Sequence, residues 1–403
     1  MSDFELLLVV LGGLYLSESL LWVRRGTVVL RALAGRRFRV MHPSAGFGST
    51  GVGLVLLNPL PPLGTAFLCH QWPLSVTPEA VCSFVPNVIN VHDRPTHLGH
   101  HVFFADVEEI AHDGRTLTIN GKAFARVNSE RMAEDFAGFL GKLRELPEGR
   151  RGAAIDAALA EWMSVRRVRR RVRRYRRESR VLRVYSHGVL VVLFGAIPAC
   201  IGLMQFRPWL PASLAVLVAL LAGTAATFFA AHRRLFPGSR MERWKVAATL
   251  FLAPTNAIRA NDALSRELLA GSHPAAAALE VCGAAERRAF LRRILLDVEH
   301  PMSPRYPSDD PGVRATVDGF QSRLKASLHG AIAAAGEDVA ALLAAPAAEE
   351  AASVAYCPRC DAQYVRADAV CGPCNDMALA AFAGQGTDRG PMMAPPPPPT
   401  TTT

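Results

Sequence analysis

The sequence carries no G-x-G-x-x-G turn leading from a strand into a helix, the one such string at Gly46 to Gly51 running instead into the short apolar stretch Gly53 to Leu57, and it has no G-x-x-x-x-G-K-[ST] phosphate loop, no G-x-S-x-G nucleophile elbow and no H-E-x-x-H pair. Each of these sets a phosphate cradle, a nucleophile or a metal pair at a fixed spacing, so their absence removes the commonest routes to an enzyme. A cleaved secretory leader is not expected either, and the first apolar run reads as an uncleaved anchor: Asp3 and Glu5 stand where a basic region would precede it, and Arg24 and Arg25 follow it. There is no disulfide framework, because Cys69, Cys82, Cys200 and Cys282 are scattered and the other four cysteines form two C-x-x-C pairs. Nor is positive charge spread along the chain. Arg166 to Arg183 holds eleven arginines against the single acid Glu178, enough to account for the whole formal charge of +10. An anionic partner would therefore be met at that one segment.

What is present in quantity is apolar sequence. Half of the 403 residues are hydrophobic, and three continuous runs approach the ~20 residues needed to cross a bilayer. Residues 4–23 form the first, with Glu5 and Glu18 near its ends. Residues 185–206 and 209–231 form the second and third, separated only by Arg207 and Pro208, which predicts a transmembrane hairpin. Trp209 suits an interface. Arginines flank the outer ends of the hairpin and follow the first anchor, so the positive-inside rule predicts an outside N-terminus, with 24–184 and 232–403 cytoplasmic. Paired thiols free for metal fit the same reducing side. Val246 to Ala253 is apolar but too short to span, and is expected to be a buried or interfacial helix.

Residues 37–146 are expected to form a small cytoplasmic α+β domain. Short β-branched and apolar runs alternate with Gly and Pro, and Asn120-Gly121 can supply the positive-φ pair of a type I′ turn, pairing Leu117 with Phe124. After Ser129 as N-cap, Met132, Phe136, Phe139, Leu140, Leu143 and Leu146 recur at helical spacing. Strands closed by one amphipathic helix over 100–146 resemble the small pleckstrin-homology-like domains of some bacterial membrane proteins. The region also holds His92, His97, His100 and His101 with Asp93, Asp106, Glu108 and Glu109 nearby. Read as ligands around an open coordination site, they would make a metalloenzyme; read plainly, they are solvated loop and strand-edge residues. Asn58 to Leu63, with three prolines, is a stiff extended linker.

Residues 153–184 lack glycine and proline and predict one long helix. Val165, Val168, Val172, Tyr175, Ser179 and Leu182 form a heptad-like seam amid arginine. Arg166, Arg167, Arg169, Arg170, Arg171, Arg173, Arg174, Arg176 and Arg177 are the candidate contacts with anionic lipid headgroups. Self-association along the seam is the competing reading. Nucleic acid is disfavoured, because Tyr175 is the sole aromatic and the helix abuts a membrane.

Residues 244–345 read as mostly helical, with helices over 274–299 and 313–344. Within 356–376, Cys357-x-x-Cys360 and Cys371-x-x-Cys374 are ten residues apart. This segment resembles a four-cysteine zinc ribbon, which implies one structural zinc in a closed thiolate shell and a surface for a protein partner. Asp361 and Asn375 occupy the positions after each knuckle, where a left-handed backbone is needed. Residues 384–403 are low-complexity Pro/Thr sequence, expected to be disordered.

Together these features predict a multi-domain membrane protein: anchor helix, small α+β domain, helical hairpin, helical region and ribbon. No small-molecule substrate is indicated. The expected role is a non-catalytic scaffold or adaptor, against a metalloenzyme using His92 to His101, or an oligomeric transporter or channel component.

Overall fold

A computed structural model describes residues 2–23, 27–30, 39–41, 53–57, 68–70, 74–85, 97–127, 130–238, 242–261, 264, 268, 271–300, 310–374 and 376–382. His92, Asp93, Ser129, Asn375, the 58–63 linker and the 384–403 tail lie outside the described residues.

The chain opens with α1 (Asp3–Val23). Strands β1 (Thr27–Leu30), β2 (Arg39–Met41), β3 (Gly53–Leu57) and β4 (Leu68–His70) form one sheet in the order β2-β1-β3-β4, with β1 and β3 parallel. That sheet begins upstream of residue 37. Two antiparallel meanders follow: β5 (Leu74–Val76), β6 (Ala80–Val85) and β7 (His97–Phe103), then β8 (Ile110–Asp113), β9 (Thr116–Ile119) and β10 (Lys122–Arg126). The β9–β10 turn has φ of 51° at Asn120 and 71° at Gly121, the two positive values a type I′ turn requires. Register departs from simple alternation. Leu117 pairs with Ala125, not Phe124, because the ladder shifts between Ala123 and Ala125, leaving Phe124 in a bulge with its ring still buried.

Helix α2 (Glu130–Glu145) buries Met132, Ala133, Phe136, Leu140 and Leu143. That face packs on β8 and β9, and each large side chain so buried contributes about 1.5–3 kcal/mol. The long helix expected over 153–184 is three: α3 (Glu148–Trp162), α4 (Val165–Glu178) and α5 (Arg180–Val191). Ser164 makes the first break by capping α4, its hydroxyl accepting from Arg167 N–H at 3.3 Å. Ser179, with ψ of 1°, makes the second.

From α5 the chain continues through a π-turn (Val192–Ala196) into α6 (Ile197–Gly202), then a 3₁₀ turn (Met204–Trp209) leads into α7 (Leu210–Leu235). Two helical stretches among the described residues, Arg180–Gly202 and Met204–Leu235, are long and apolar enough to cross a membrane. They pack face to face because glycines admit close approach: a methyl on Gly188 would meet Leu220, and one on Gly223 would run into the Tyr185 ring. Helices α8 (Arg243–Leu252) and α9 (Pro254–Ile258) follow.

The C-terminal helices are α10 (Pro274–Val281), α11 (Ala284–Glu299), α12 (Pro311–Ala334) and α13 (Val339–Leu343). Gly283 interrupts the first expected helix, and Gly336 at φ 84° ends the long run of the second. Helix α12 is part of the core. Its Val313, Thr316, Phe320, Leu324, Leu328 and Ile332 are buried. Two of its glycines lie close to β5–β7: a methyl at Gly319 would press on Thr77, between β5 and β6, at 3.2 Å, and one at Gly312 would lie 3.6 Å from His101 and Phe103 on β7. One continuous core therefore joins β5–β10, α2–α4, the end of α7 and α10–α12.

Candidate metal centre and cationic helix

The ribbon hangs on very short strands: β11 (Ala355–Tyr356), β12 (Gln363–Tyr364) and β15 (Ala380–Ala381) in one sheet, β13 (Val370–Cys371) and β14 (Met377–Ala378) in another. So few ladder bonds cannot hold a fold of this size without a further constraint. The first knuckle closes by Asp361 N–H donating to Cys357 C=O at 2.9 Å and Cys357 N–H donating to Ala362 C=O at 2.8 Å. Asp361 has φ of 59°, the left-handed geometry expected after Cys360. In the second knuckle the described left-handed residue is Asp376, at 56°.

Cys357, Cys360, Cys371 and Cys374 bring their sulfurs within 4.8 Å of one another, with Cys360 and Cys371 at 3.6 Å. Four thiolates about 2.3 Å from a tetrahedral zinc stand about 3.8 Å apart, so the donor set fits such an ion. Cys357, Cys371 and Cys374 are buried. Burial raises Cys360 to about 11, with Cys357 and Cys371 adding to the shift and the Ala362 backbone and Cys374 opposing it, and burial likewise pushes Cys374 up. Burial opposes ionisation of Cys371 too, yet hydrogen bonds led by Tyr364 hold it below the ordinary thiol value. Crowded thiols that cannot all ionise alone are what a bound dication would relieve.

The ribbon is not a free appendage. Arg292 on α11 grips the Asp361 carboxylate with Nε and an Nη at 2.7 Å each, and donates through its other Nη to Leu342 and Ala344 C=O at 2.7 Å. Arg293 donates to Arg359 C=O at 2.8 Å, while Arg359 pairs with Asp297 at 2.9 Å and donates to His300 C=O at 2.9 Å. The whole first knuckle, Cys357 to Asp361, is thus bolted to the last turns of α11. Sequence spacing found the thiols but gave no sign of these arginines, which lie far upstream.

The histidines are distributed differently. His97, His100 and His101 all fall on β7, opposite Val85, Ser83 and Cys82. Successive residues of a strand face opposite sides. His100 is exposed beside Phe124, whereas half-buried His101 places Nε2 3.2 Å from Thr316 Oγ1 on α12. Beside it burial pushes the Cys82 thiol up to about 12, so this cysteine is a core residue and no nucleophile. Among the described residues, the four cysteines are the group of His, Cys, Asp and Glu able to hold a metal.

Helix α4 sorts the nine arginines into two sets. Its seam residues Val168, Val172 and Tyr175 are buried against α10 and α7 of the same chain. Arg167 pairs with Glu161 at 2.8 Å and Arg169 with Glu280 at 2.8 Å, while Arg174 bonds the Arg234 carbonyl. Arg171 bonds Leu268 C=O and Ser272 Oγ, and burial lowers it to about 10. Arg177 pairs with Glu178 at 3.0 Å. Arg166, Arg170, Arg173 and Arg176 are exposed. The first three, with Arg177, recur at helical spacing to make one outward stripe opposite the seam.

Comparison of the chain with family models, with curated proteins and with solved structures finds no match.

Proposed function

We propose that this chain is an integral protein of a bacterial-type inner membrane. Its N-terminus lies outside and residues 24–184 and 232–403 lie in the cytoplasm, where it serves as a non-catalytic scaffold. The carrying observation is the four-cysteine site, in which all four coordinating positions are protein thiols. A closed zinc shell of that kind leaves no place for a substrate and acts by holding a surface in shape.

Membrane insertion is supported by the exposure of the two long helices. Only 33% and 28% of their most apolar windows are buried, whereas the core helix of a soluble protein would be mostly covered. Val191, Met204, Trp209, Val216, Val218 and Phe229 all face outward. Headgroup contact is supported by the outward stripe of Arg166, Arg170, Arg173 and Arg177, each cation near an anionic surface contributing about 1 kcal/mol. Because the first knuckle is taken by α11, the protein partner is expected at the part of the ribbon that α11 leaves free, where Val365 and Val370 are exposed.

Metal stoichiometry on detergent-purified protein tests this reading. Wild type should carry one zinc per chain, lost in Cys357→Ser/Cys371→Ser and retained in His97→Ala/His100→Ala/His101→Ala. A second metal that disappears only in the histidine variant would overturn the scaffold and make the cytoplasmic domain a metalloenzyme candidate.

A further inference from the structure

Helix α8 starts on the side where α7 ends. Its first residue, Arg243, donates from Nε to His232 Nδ1 at 3.0 Å and from an Nη to the Phe236 carbonyl at 2.8 Å. From that clasp α8 runs back along α7, the two being among the most extensively packed pairs of helices in the chain. At 1.5 Å per residue its ten residues rise about 15 Å, half of a hydrocarbon core of ~30 Å. The chain then breaks at Ala253–Pro254, and α9 buries Ala257 and Ile258 in the same apolar cluster as Val189, Leu193 and Ile197 of the first span and Leu217 and Leu221 of the second.

The chemistry along this path changes with distance from the clasp. Cations occupy only the first turn, Arg243 and Lys245, and Trp244 beside them is 64% exposed with the Lys245 ammonium over its ring. From Val246 to Leu252 no charged residue occurs. The far end exposes Phe251 at 40% and Leu252 at 77%, and α7, against which α8 packs, exposes Val216, Val218 and Phe229. Exposed leucine is ordinary on a protein surface, but here it continues the lipid-facing belt of a helix already long enough to span. The break itself suits hydrocarbon. Pro254 has no N–H to leave bare, Ala253 N–H reaches Thr249 C=O at 3.0 Å, and Ala257 N–H reaches Ala253 C=O at 3.1 Å.

We infer that α8 and α9 form a re-entrant element. It enters the bilayer beside α7 from the cytoplasmic side, sets Trp244 at the interface, turns at Ala253–Pro254, and presents Phe251 and Leu252 to phospholipid acyl chains. This inference rests on the membrane reading of α5–α7 and adds, beside the anchor and the two hairpin spans, a contact with the hydrocarbon that length alone would reject.

The test uses the full chain in lipid nanodiscs with a fluorinated phenylalanine placed at 252, at 218 in the α7 belt, or at the exposed position 157 of α3. Fluorine relaxation is measured with dissolved oxygen, which concentrates in hydrocarbon, and with a water-soluble paramagnetic chelate. The oxygen-to-chelate ratio at 252 should match that at 218 and exceed that at 157 several-fold. A ratio at 252 equal to that at 157, while 218 stays oxygen-dominated, overturns the re-entrant element. A chelate-dominated 218 would instead overturn the membrane reading, and the inference with it.

Discussion

The clasp between Arg292 and Asp361 should make zinc affinity depend on a helix more than sixty residues upstream of the metal ligands. Asp361 presents its carboxylate correctly only while the knuckle holds it at φ 59°, and the knuckle is held by metal. Losing either partner should therefore weaken zinc binding without touching a cysteine. Hydrogen bonds between charged groups contribute roughly 1.5–3 kcal/mol each in mutational series. Both side chains here keep some solvent contact, 22% for Arg292 and 30% for Asp361, which moves the net coupling toward about 1–2 kcal/mol. At 1.4 kcal/mol per decade that is a loss of about 5- to 30-fold in zinc affinity. The assay is competition against a chromophoric chelator for wild type, Arg292→Ala, Asp361→Asn and the double variant. Asparagine is chosen because it tolerates the left-handed backbone while removing the charge. The two single variants should each lose affinity and the double variant little more than either. Wild-type affinity in Arg292→Ala, or fully additive losses, would refute the coupling.

Two further outcomes are expected. His273 is fully buried, accepts from Ala275 N–H at 3.0 Å as the cap of α10, and burial pulls its pKa down to about 3. Since the folded value lies below the unfolded one near 6.5, only the unfolded chain takes up a proton as pH falls. Stability should be intact above that value and drop by about 2 kcal/mol between pH 7 and 5. Thermal melts should show this slope reduced in His273→Asn, which caps without titrating; parallel slopes would count against it. Gly223→Ala should disrupt the α5–α7 contact by about 1–3 kcal/mol through collision with Tyr185, and Tyr185→Ala should restore it in the double variant. Equal melting of Gly223→Ala and wild type would contradict the close packing.

Much of this molecule was legible in one dimension. Spacing alone located the four thiols, because two C-x-x-C pairs must form local knuckles wherever they occur. Continuous apolarity located the hairpin helices, since length against bilayer thickness is a linear measure. Asn120-Gly121 announced its turn, because only those residue types tolerate two positive φ values in succession. Periodicity also showed that Val168, Val172 and Tyr175 form a buried stripe on α4, but a stripe does not name what covers it. A second copy of the chain was one candidate; α10 and α7 of the same chain are what cover it. The same limit explains the other misses. Nothing near the ribbon indicated Arg292, nothing near β7 indicated that His101 meets Thr316, and eight apolar residues before Pro254 gave no sign that α8 lies along α7. Local sequence constrains backbone conformation and which face avoids water. Which faces then meet depends on shape and charge complementarity between segments far apart in the chain, and that only the tertiary structure decided.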